Sequence, residues 1–197
     1  MTTKKPTAEE GVINDVRRTL VQAKLCREVW WTINGEHRQR LDIVRALNFY
    51  VNFFGVIGPA AWVAYITNLS SLFDANPKSI ALRRVPGIED EPGYPALWEK
   101  GRVLFRYRSK VIAHRDEKLV NRNFAAESKL TPDSLKWILD TSCQYFDAAA
   151  SRLNLAPVPP LSCESDFLLL VDDINRRFPR PKSTNAVTGL PDLNRPG

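Results

Sequence analysis

Residues 95–116 read PALWEKGRVLFRYRSKVIAHRD and carry the clearest helical pattern of the chain. At about 100° per residue their apolar side chains fall on one face of an α-helix. That face holds Leu97, Leu104, Phe105, Val111 and Ile112. Proline is well tolerated in a first turn, so we expect the helix to run from near residue 95 to about residue 114.

The same spacing of apolar residues recurs along most of the sequence, and the fold class is predicted to be all-α. We expect helices over residues 8–33, over 41–54, over about 60–73 beyond a turn at 55–59, and from 132 onward with Thr131 as N-cap. A short last helix should run from Ser162 to Ile174. No segment alternates with the period of two that marks strands. These elements predict an up-and-down bundle of four to five main helices.

The chain is predicted to form one domain over residues 8–175. Residues 1–7 and the Pro-rich, basic residues 176–197 have little apolar surface to bury, so we expect both to be disordered. Residues 74–95 contain several Pro and Gly turn signals and form a long irregular connection, with a short helix at 78–84. Connections of this length often carry a function or are mobile, which makes this one a candidate cover for a cleft or a partner surface.

Net charge and the length of the apolar stretches indicate which partners and which location suit this chain. The chain has 197 residues, a net charge of +6 and an isoelectric point near 9.4, which favours an anionic partner. The longest apolar stretch, residues 49–73, is divided by the expected turn into halves too short to span a bilayer, which needs about 20 apolar residues. We therefore expect two buried helices, no membrane span and a cytoplasmic protein.

Residues able to bind metal are few. Three cysteines, Cys26, Cys143 and Cys163, lie far apart without zinc-site or redox spacing, and we expect them to be reduced core residues. The two histidines, His37 and His114, do not form a ligand cluster with them, so neither a metal nor a cofactor is predicted. His37 lies at a helix start and is expected to be exposed. No Gly-rich phosphate loop is present.

Arg108 and His114 are the candidate functional residues on the helix of residues 95–114. Arg108 falls within the apolar face, and His114 lies about 120° round the α-helix from it. An arginine presents a planar fork that suits phosphate oxygens, and a histidine can transfer protons near neutral pH. Such a pair could cleave RNA without a metal. In the alternative structural interpretation, the Arg108 stem covers apolar neighbours while its head reaches water or an acid.

The stretch Arg108-Ser109-Lys110-Val111-Ile112-Ala113-His114-Arg115-Asp116 resembles the motif of the HEPN superfamily, the higher eukaryotes and prokaryotes nucleotide-binding proteins. In that motif an arginine and a histidine are separated by four to six residues. The longer string is similar in particular to HEPN proteins of the AbiU abortive-infection type. The residue after the arginine is usually asparagine, aspartate or histidine in the nuclease members, and here it is Ser109.

This resemblance implies a metal-independent ribonuclease that is a homodimer, in phage defence or a toxin–antitoxin pair. Each chain would offer Arg108 and His114 to a shared cleft as catalytic residues, with His114 as base or acid and Arg108 stabilising charge on the phosphoryl oxygens. The supporting residues would be Tyr107, Ser109, Lys110 and Asp116. The implied partners are RNA, a second copy of the chain and an antitoxin protein.

Two functional hypotheses remain open from the sequence. One is this ribonuclease, and the other is a non-catalytic HEPN-like module that binds RNA, nucleotide or a protein partner. In the second, the Arg108 and His114 side chains are kept for structural reasons. The offset of about 120° on an α-helix also predicts that a working Arg/His pair would form across a dimer.

Overall fold

The computed structural model describes residues 8–113 and 130–178, and every regular element in these ranges is helical. The α-helices are α1 (Ala8–Asn34), α2 (Arg40–Phe49), α3 (Val51–Ser71), α4 (Tyr94–Tyr107), α5 (Pro132–Arg152) and α6 (Glu164–Arg177). A 3-10 helix covers Leu82–Arg84, and a π-helix, Arg108–Ala113, follows α4 directly. The predicted all-α fold class is confirmed.

Two hydrophobic clusters hold the described helices together. The larger one joins α1, the second half of α3, α4 and α5, with Leu20, Leu69, Leu104 and Phe146 fully buried. The smaller one joins the end of α1 to α2, the start of α3 and α6, through residues such as Ile43. Because α1 and α3 pass through both clusters, they make the two ends of the molecule one unit.

The turn predicted at residues 55–59 is wrong. The break lies at Tyr50, which ends α2 and begins α3, and α3 continues through Gly58 and Pro59. A proline within a helix leaves the carbonyl four residues earlier without its usual partner. That residue is Gly55, which is exposed, so water can bind its carbonyl. The helix therefore continues where the sequence pattern indicated a stop.

The connection before α4 is irregular but packed into the larger cluster. Leu82, Val85 and Ile88 are buried at 0–1% exposure, and Leu82 N–H donates to the Leu72 carbonyl at 2.8 Å. Successive turns lead from there to Tyr94. The predicted short helix at 78–84 is reduced to the 3-10 helix at its end. The connection is thus a built part of the core beside the end of α3.

The start of α5 follows the prediction closely. The Thr131 hydroxyl accepts from the Ser134 N–H at 3.1 Å, and the Ser134 hydroxyl accepts from the Thr131 N–H at 2.8 Å. The start of α6 differs by one residue, because Cys163 is the N-cap and the Ser162 hydroxyl accepts from Glu164 N–H.

The folded part extends beyond the predicted boundary at residue 175. Helix α6 runs to Arg177, and the Phe178 carbonyl accepts from Arg45. The disorder predicted for 1–7 and for 179–197 concerns segments outside the described residues.

Helix α3 is long and apolar enough to cross a membrane by length and composition alone. Only 39% of its most apolar window is buried within the protein, so the predicted pair of buried helices is replaced by one half-buried helix. Such a helix is also found in the cores of soluble proteins.

Candidate functional site

The candidate motif begins where the helix changes its winding. Helix α4 ends at Tyr107, and Arg108–Ala113 form the π-helix. In a π-helix the hydrogen bonds run from residue i to i+5, and these short segments are rare and frequently occur at functional sites. A wheel drawn at about 100° per residue does not apply beyond Arg108. The offset of about 120° between Arg108 and His114 assumed α-helical winding, and it stays a prediction because His114 lies outside the described residues.

Arg108 is half-buried on the inner side of the α4 end. Its guanidinium carbon lies 4.8 Å from the centroid of the Phe105 ring, a distance at which a cation is attracted to an aromatic face. Its Nε is buried without a hydrogen-bond partner among the described residues. A buried donor without a partner is costly, so this nitrogen is suited to an incoming acceptor.

Asp74 is the acidic residue that the Arg108 charge reaches. It follows the C-terminal end of α3 and accepts from the Ser79 hydroxyl at 2.6 Å and the Asn76 N–H at 2.9 Å. Burial raises the pKa of Asp74, but these hydrogen bonds and the charges of Arg108 and Arg83 outweigh it and hold the pKa below its ordinary value of 3.8. The carboxylate is thus a fixed negative charge beside the motif.

We expect Asp74→Asn to remove a pH-dependent part of the stability. The pKa is lower in the folded chain than in the unfolded one, so ionised Asp74 stabilises the fold above about pH 3.8 and this contribution is lost as the pH falls further. The difference in the free energy of unfolding between wild type and variant should be present at pH 7 and shrink toward pH 3 in urea titrations. A difference that is equal at both pH values would contradict the assignment.

Exposed Asp140 provides the matched control for that measurement. It pairs with Lys136 on the surface of α5, where ion pairs contribute little. Asp140→Asn should therefore shift the free energy of unfolding less than Asp74→Asn at pH 7.

Two further cations, Arg83 and Arg84, donate to carbonyls of the loop that begins at Asp74. We call Arg83, Arg84 and Arg108 the basic cluster, because the charges of Arg108 and Arg83 act on Asp74 and Arg84 binds the same loop. Arg83 donates to the Ala75 carbonyl, and exposed Arg84 donates to the Ser79 carbonyl at 3.3 Å. Two guanidinium groups, those of Arg83 and Arg108, act on the Asp74 carboxylate, and Arg84 adds a further positive charge to the same loop. From the sequence alone, Arg83 and Arg84 could be either RNA-backbone contacts or ordinary surface charges, because their positions depend on the path of the connection.

Three of the four predicted supporting residues lie within the described part of the chain. Tyr107 is half-buried against the larger cluster, Ser109 is half-buried and Lys110 is exposed. The predicted catalytic His114 and the supporting Asp116 lie outside the described residues. The structure therefore brings Arg108 together with Asp74 and Arg83, and the Arg108–His114 pairing stays a prediction.

His37 differs from its prediction. Its side chain is 18% exposed; Nε2 lies 3.0 Å from a Glu164 carboxylate oxygen, and Nδ1 accepts from the Gln39 N–H at 3.1 Å. The ring therefore joins the loop between α1 and α2 to the first turn of α6. This is a structural role, because a histidine can bond two elements through its two nitrogens.

The three cysteines are free and half-buried, so they are less enclosed than the predicted core residues. Burial raises the pKa of Cys143 to about 11, with further contributions from Asp147 and Asp140. Thiols with raised pKa values are poor nucleophiles. Within 8–113 and 130–178 no three His, Cys, Asp or Glu side chains are grouped as metal ligands.

Comparison with known proteins gives one positive result. The sequence model of the HEPN-type AbiU2 family matches residues 12–169, which span α1 to the middle of α6 and include the motif segment. No curated protein and no solved structure matches the chain. A match over most of the chain, together with the all-helical fold, shows that this protein belongs to the AbiU2 family of HEPN proteins.

Proposed function

We propose that this protein is a metal-independent ribonuclease of abortive infection or of a toxin–antitoxin pair, active as a homodimer in the cytoplasm. The observation that carries the proposal is the basic cluster at the motif. Arg108 has a buried nitrogen without a partner among the described residues, Arg83 acts with it on Asp74, and Arg84 adds positive charge on the same loop. Phosphate oxygens are the acceptors that such a group of arginines favours.

In the proposed reaction His114 of one chain takes the proton of an RNA 2′-hydroxyl. The 2′-oxygen then bonds to phosphorus while the bond from phosphorus to the 5′-oxygen breaks, leaving a cyclic phosphate. His114 of the partner subunit returns a proton to the departing 5′-oxygen. Arg108 stabilises the negative charge that develops on the phosphoryl oxygens, and an antitoxin protein would hold the site inactive.

Incubation of the purified full chain with RNA in EDTA tests this proposal. We expect cleavage that leaves cyclic-phosphate ends, and no cleavage of DNA of the same sequence because DNA lacks the attacking 2′-hydroxyl. Both Arg108→Ala and His114→Ala should abolish the cleavage. Intact RNA across several substrates, with a correctly folded wild-type protein, would reject the ribonuclease.

A specific observation favours the second candidate, a non-catalytic HEPN-like module. The Arg108 head stacks on Phe105 and its charge acts on Asp74, which is how a purely structural arginine is held. RNA binding without cleavage, unchanged by His114→Ala, would favour that candidate.

We expect Arg84→Glu to weaken RNA binding severalfold and to lower the slope of log affinity against log salt by about 0.7, the value for one phosphate contact on a single strand. Arg84 is exposed and donates to the Ser79 carbonyl of the Asp74 loop, so its loss removes charge from that loop without opening the core. The measurement is fluorescence anisotropy with labelled RNA at several salt concentrations.

Exposed Arg106→Glu is the matched control for Arg84→Glu. Arg106 lies on α4 two residues before Arg108, and a step of two residues turns an α-helix by about 200°. It therefore points away from the basic cluster, and Arg106→Glu should weaken RNA binding less. Equal losses for the two variants would show that RNA responds to net charge and not to the cluster.

A further inference from the structure

Helix α3 presents an uncharged, partly apolar outer side. From Val51 to Ser71 it contains no charged residue, yet Phe53 is 57% and Val56 is 67% exposed. A helix that is apolar on all sides is normally covered on all sides. Within the described residues, neighbouring helices cover only one side, so the other side needs an occupant.

The exposed apolar side chains at this end of the molecule are contiguous. We call them the apolar face, which consists of Leu41, Phe49, Tyr50, Phe53, Val56, Leu170 and Phe178. The Phe178 ring stacks on Phe49 at 4.6 Å between centroids and meets Tyr50 edge-on at 6.2 Å. The seven side chains are 38–76% exposed, and a large side chain has a surface of roughly 150–250 Å². The apolar face therefore exposes on the order of 700 Å² to solvent. A partner in a standard interface contributes about 800 Å².

The apolar face contains both projections and depressions. A groove of about 380 Å³ is lined by Leu41 and Phe49, among others, and a second of about 370 Å³ lies between Tyr50, Phe53 and Leu170. Exposed aromatic rings stand beside each groove. A two-fold interface brings the same surface patch of both subunits together. Such a patch must therefore carry both projecting side chains and the grooves that receive them from the partner subunit.

Among the described residues, the charges that line the grooves of the apolar face are few and already partnered. Arg177 is 2.9 Å from Asp173, and Arg45 donates to the Phe178 carbonyl. The grooves are thus lined by two cations and one anion, on a chain whose net charge is +6. An anionic partner such as RNA or an acidic lipid surface finds little to bind here, while two copies can meet with little repulsion.

We propose that the apolar face is a homotypic interface, with a second copy of this chain as its occupant. The apolar face is separate from the motif. Phe53 lies near the start of α3, whereas Asp74, on which the Arg108 charge acts, lies just beyond its end. At 1.5 Å per residue the 21 residues between them correspond to about 30 Å. The inference does not rest on the proposed ribonuclease activity. A chain that also pairs through its motif would then form assemblies larger than a dimer.

The molar mass of the full-length protein in solution, measured by light scattering over a concentration series, tests this interface. We expect Phe53→Glu and Leu170→Glu each to halve the mass of the wild-type assembly, or to shift its dissociation at least tenfold higher in concentration. Leu161→Glu is the matched control, because Leu161 is 50% exposed but lies outside the apolar face, and its mass should equal that of the wild type. Circular dichroism identifies any variant that fails to fold.

Three results would overturn the interface. The first is a wild-type mass equal to one chain at all concentrations. The second is a mass that Phe53→Glu and Leu170→Glu both leave unchanged while remaining folded. The third is a monomeric wild type that floats with phosphatidylcholine vesicles and a Phe53→Glu variant that does not, which would assign the face to lipid. RNA cleavage is scored separately, so failure of the ribonuclease does not affect this test.

Discussion

Arg108→Lys is expected to lower the rate constant for RNA cleavage by about 10²–10³-fold, the loss usual for one donor to a developing oxyanion. Lysine keeps the positive charge but lacks the planar fork that binds two phosphate oxygens together. It also lacks the Nε–H, which in the wild type is buried without a partner among residues 8–113 and 130–178. The measurement is single-turnover cleavage with enzyme in excess, which separates the chemical step from binding.

If Arg108 had only a structural role, Arg108→Lys would keep the wild-type cleavage rate. The cation's contact with Phe105 and its effect on Asp74 are largely kept by lysine, so the midpoint of thermal unfolding should stay close to that of the wild type. Arg106→Lys on the opposite side of α4 serves as the control and should cleave at the wild-type rate. A wild-type cleavage rate in Arg108→Lys would remove Arg108 from the catalytic mechanism.

Gly101→Ala is expected to destabilise the protein by about 2 kcal/mol. A methyl group at this position would lie 2.1–2.4 Å from ring atoms of Phe73, whose side chain is fully buried. Overpacking of this kind costs about 3 kcal/mol at the upper end, and the better helix propensity of alanine offsets about 1 kcal/mol. For a chain of this size the unfolding midpoint should fall by about 4–8 °C in calorimetry.

Gly55→Ala is the matched control for Gly101→Ala. A Cβ at Gly55 meets nothing within 4 Å, so alanine there should stabilise α3 by up to about 1 kcal/mol. The double variant Phe73→Leu with Gly101→Ala should be less destabilised than the sum of the two single variants, because leucine leaves room for the methyl. Additive effects would show that Phe73 and Gly101 do not share the same space.

The sequence predicted a helix end correctly where neighbouring residues alone determine it. Thr131 and Ser134 determine the start of α5 through reciprocal hydrogen bonds, with Pro132 as the first helical residue, and the predicted N-cap at Thr131 was correct. Gly55 and Pro59 gave an equally clear local signal for a turn, and it was wrong. Packing of α3 along α1 outweighs the local cost of the proline, and this packing involves residues distant in sequence.

The candidate site was predictable only in part, for the same reason. Arg108 was identifiable because a charge interrupts an apolar face, and the motif around it pointed to the family. Asp74, Arg83 and Arg84 were not, because they lie in a connection without periodicity, whose path the sequence pattern does not give. The π-helix was missed because the apolar spacing at Val111 and Ile112 fits an α-helix equally well.

The π-helix of residues 108–113 has a consequence for how the motif varies in length. A π-turn takes up one residue more than an α-turn over a similar advance along the axis. A chain with one residue fewer in this segment could wind it as an α-helix and advance a similar distance along the axis. We therefore expect the deletion of one residue between Ser109 and Ala113 to be absorbed by a change of local winding, with helix α4 before it left in place.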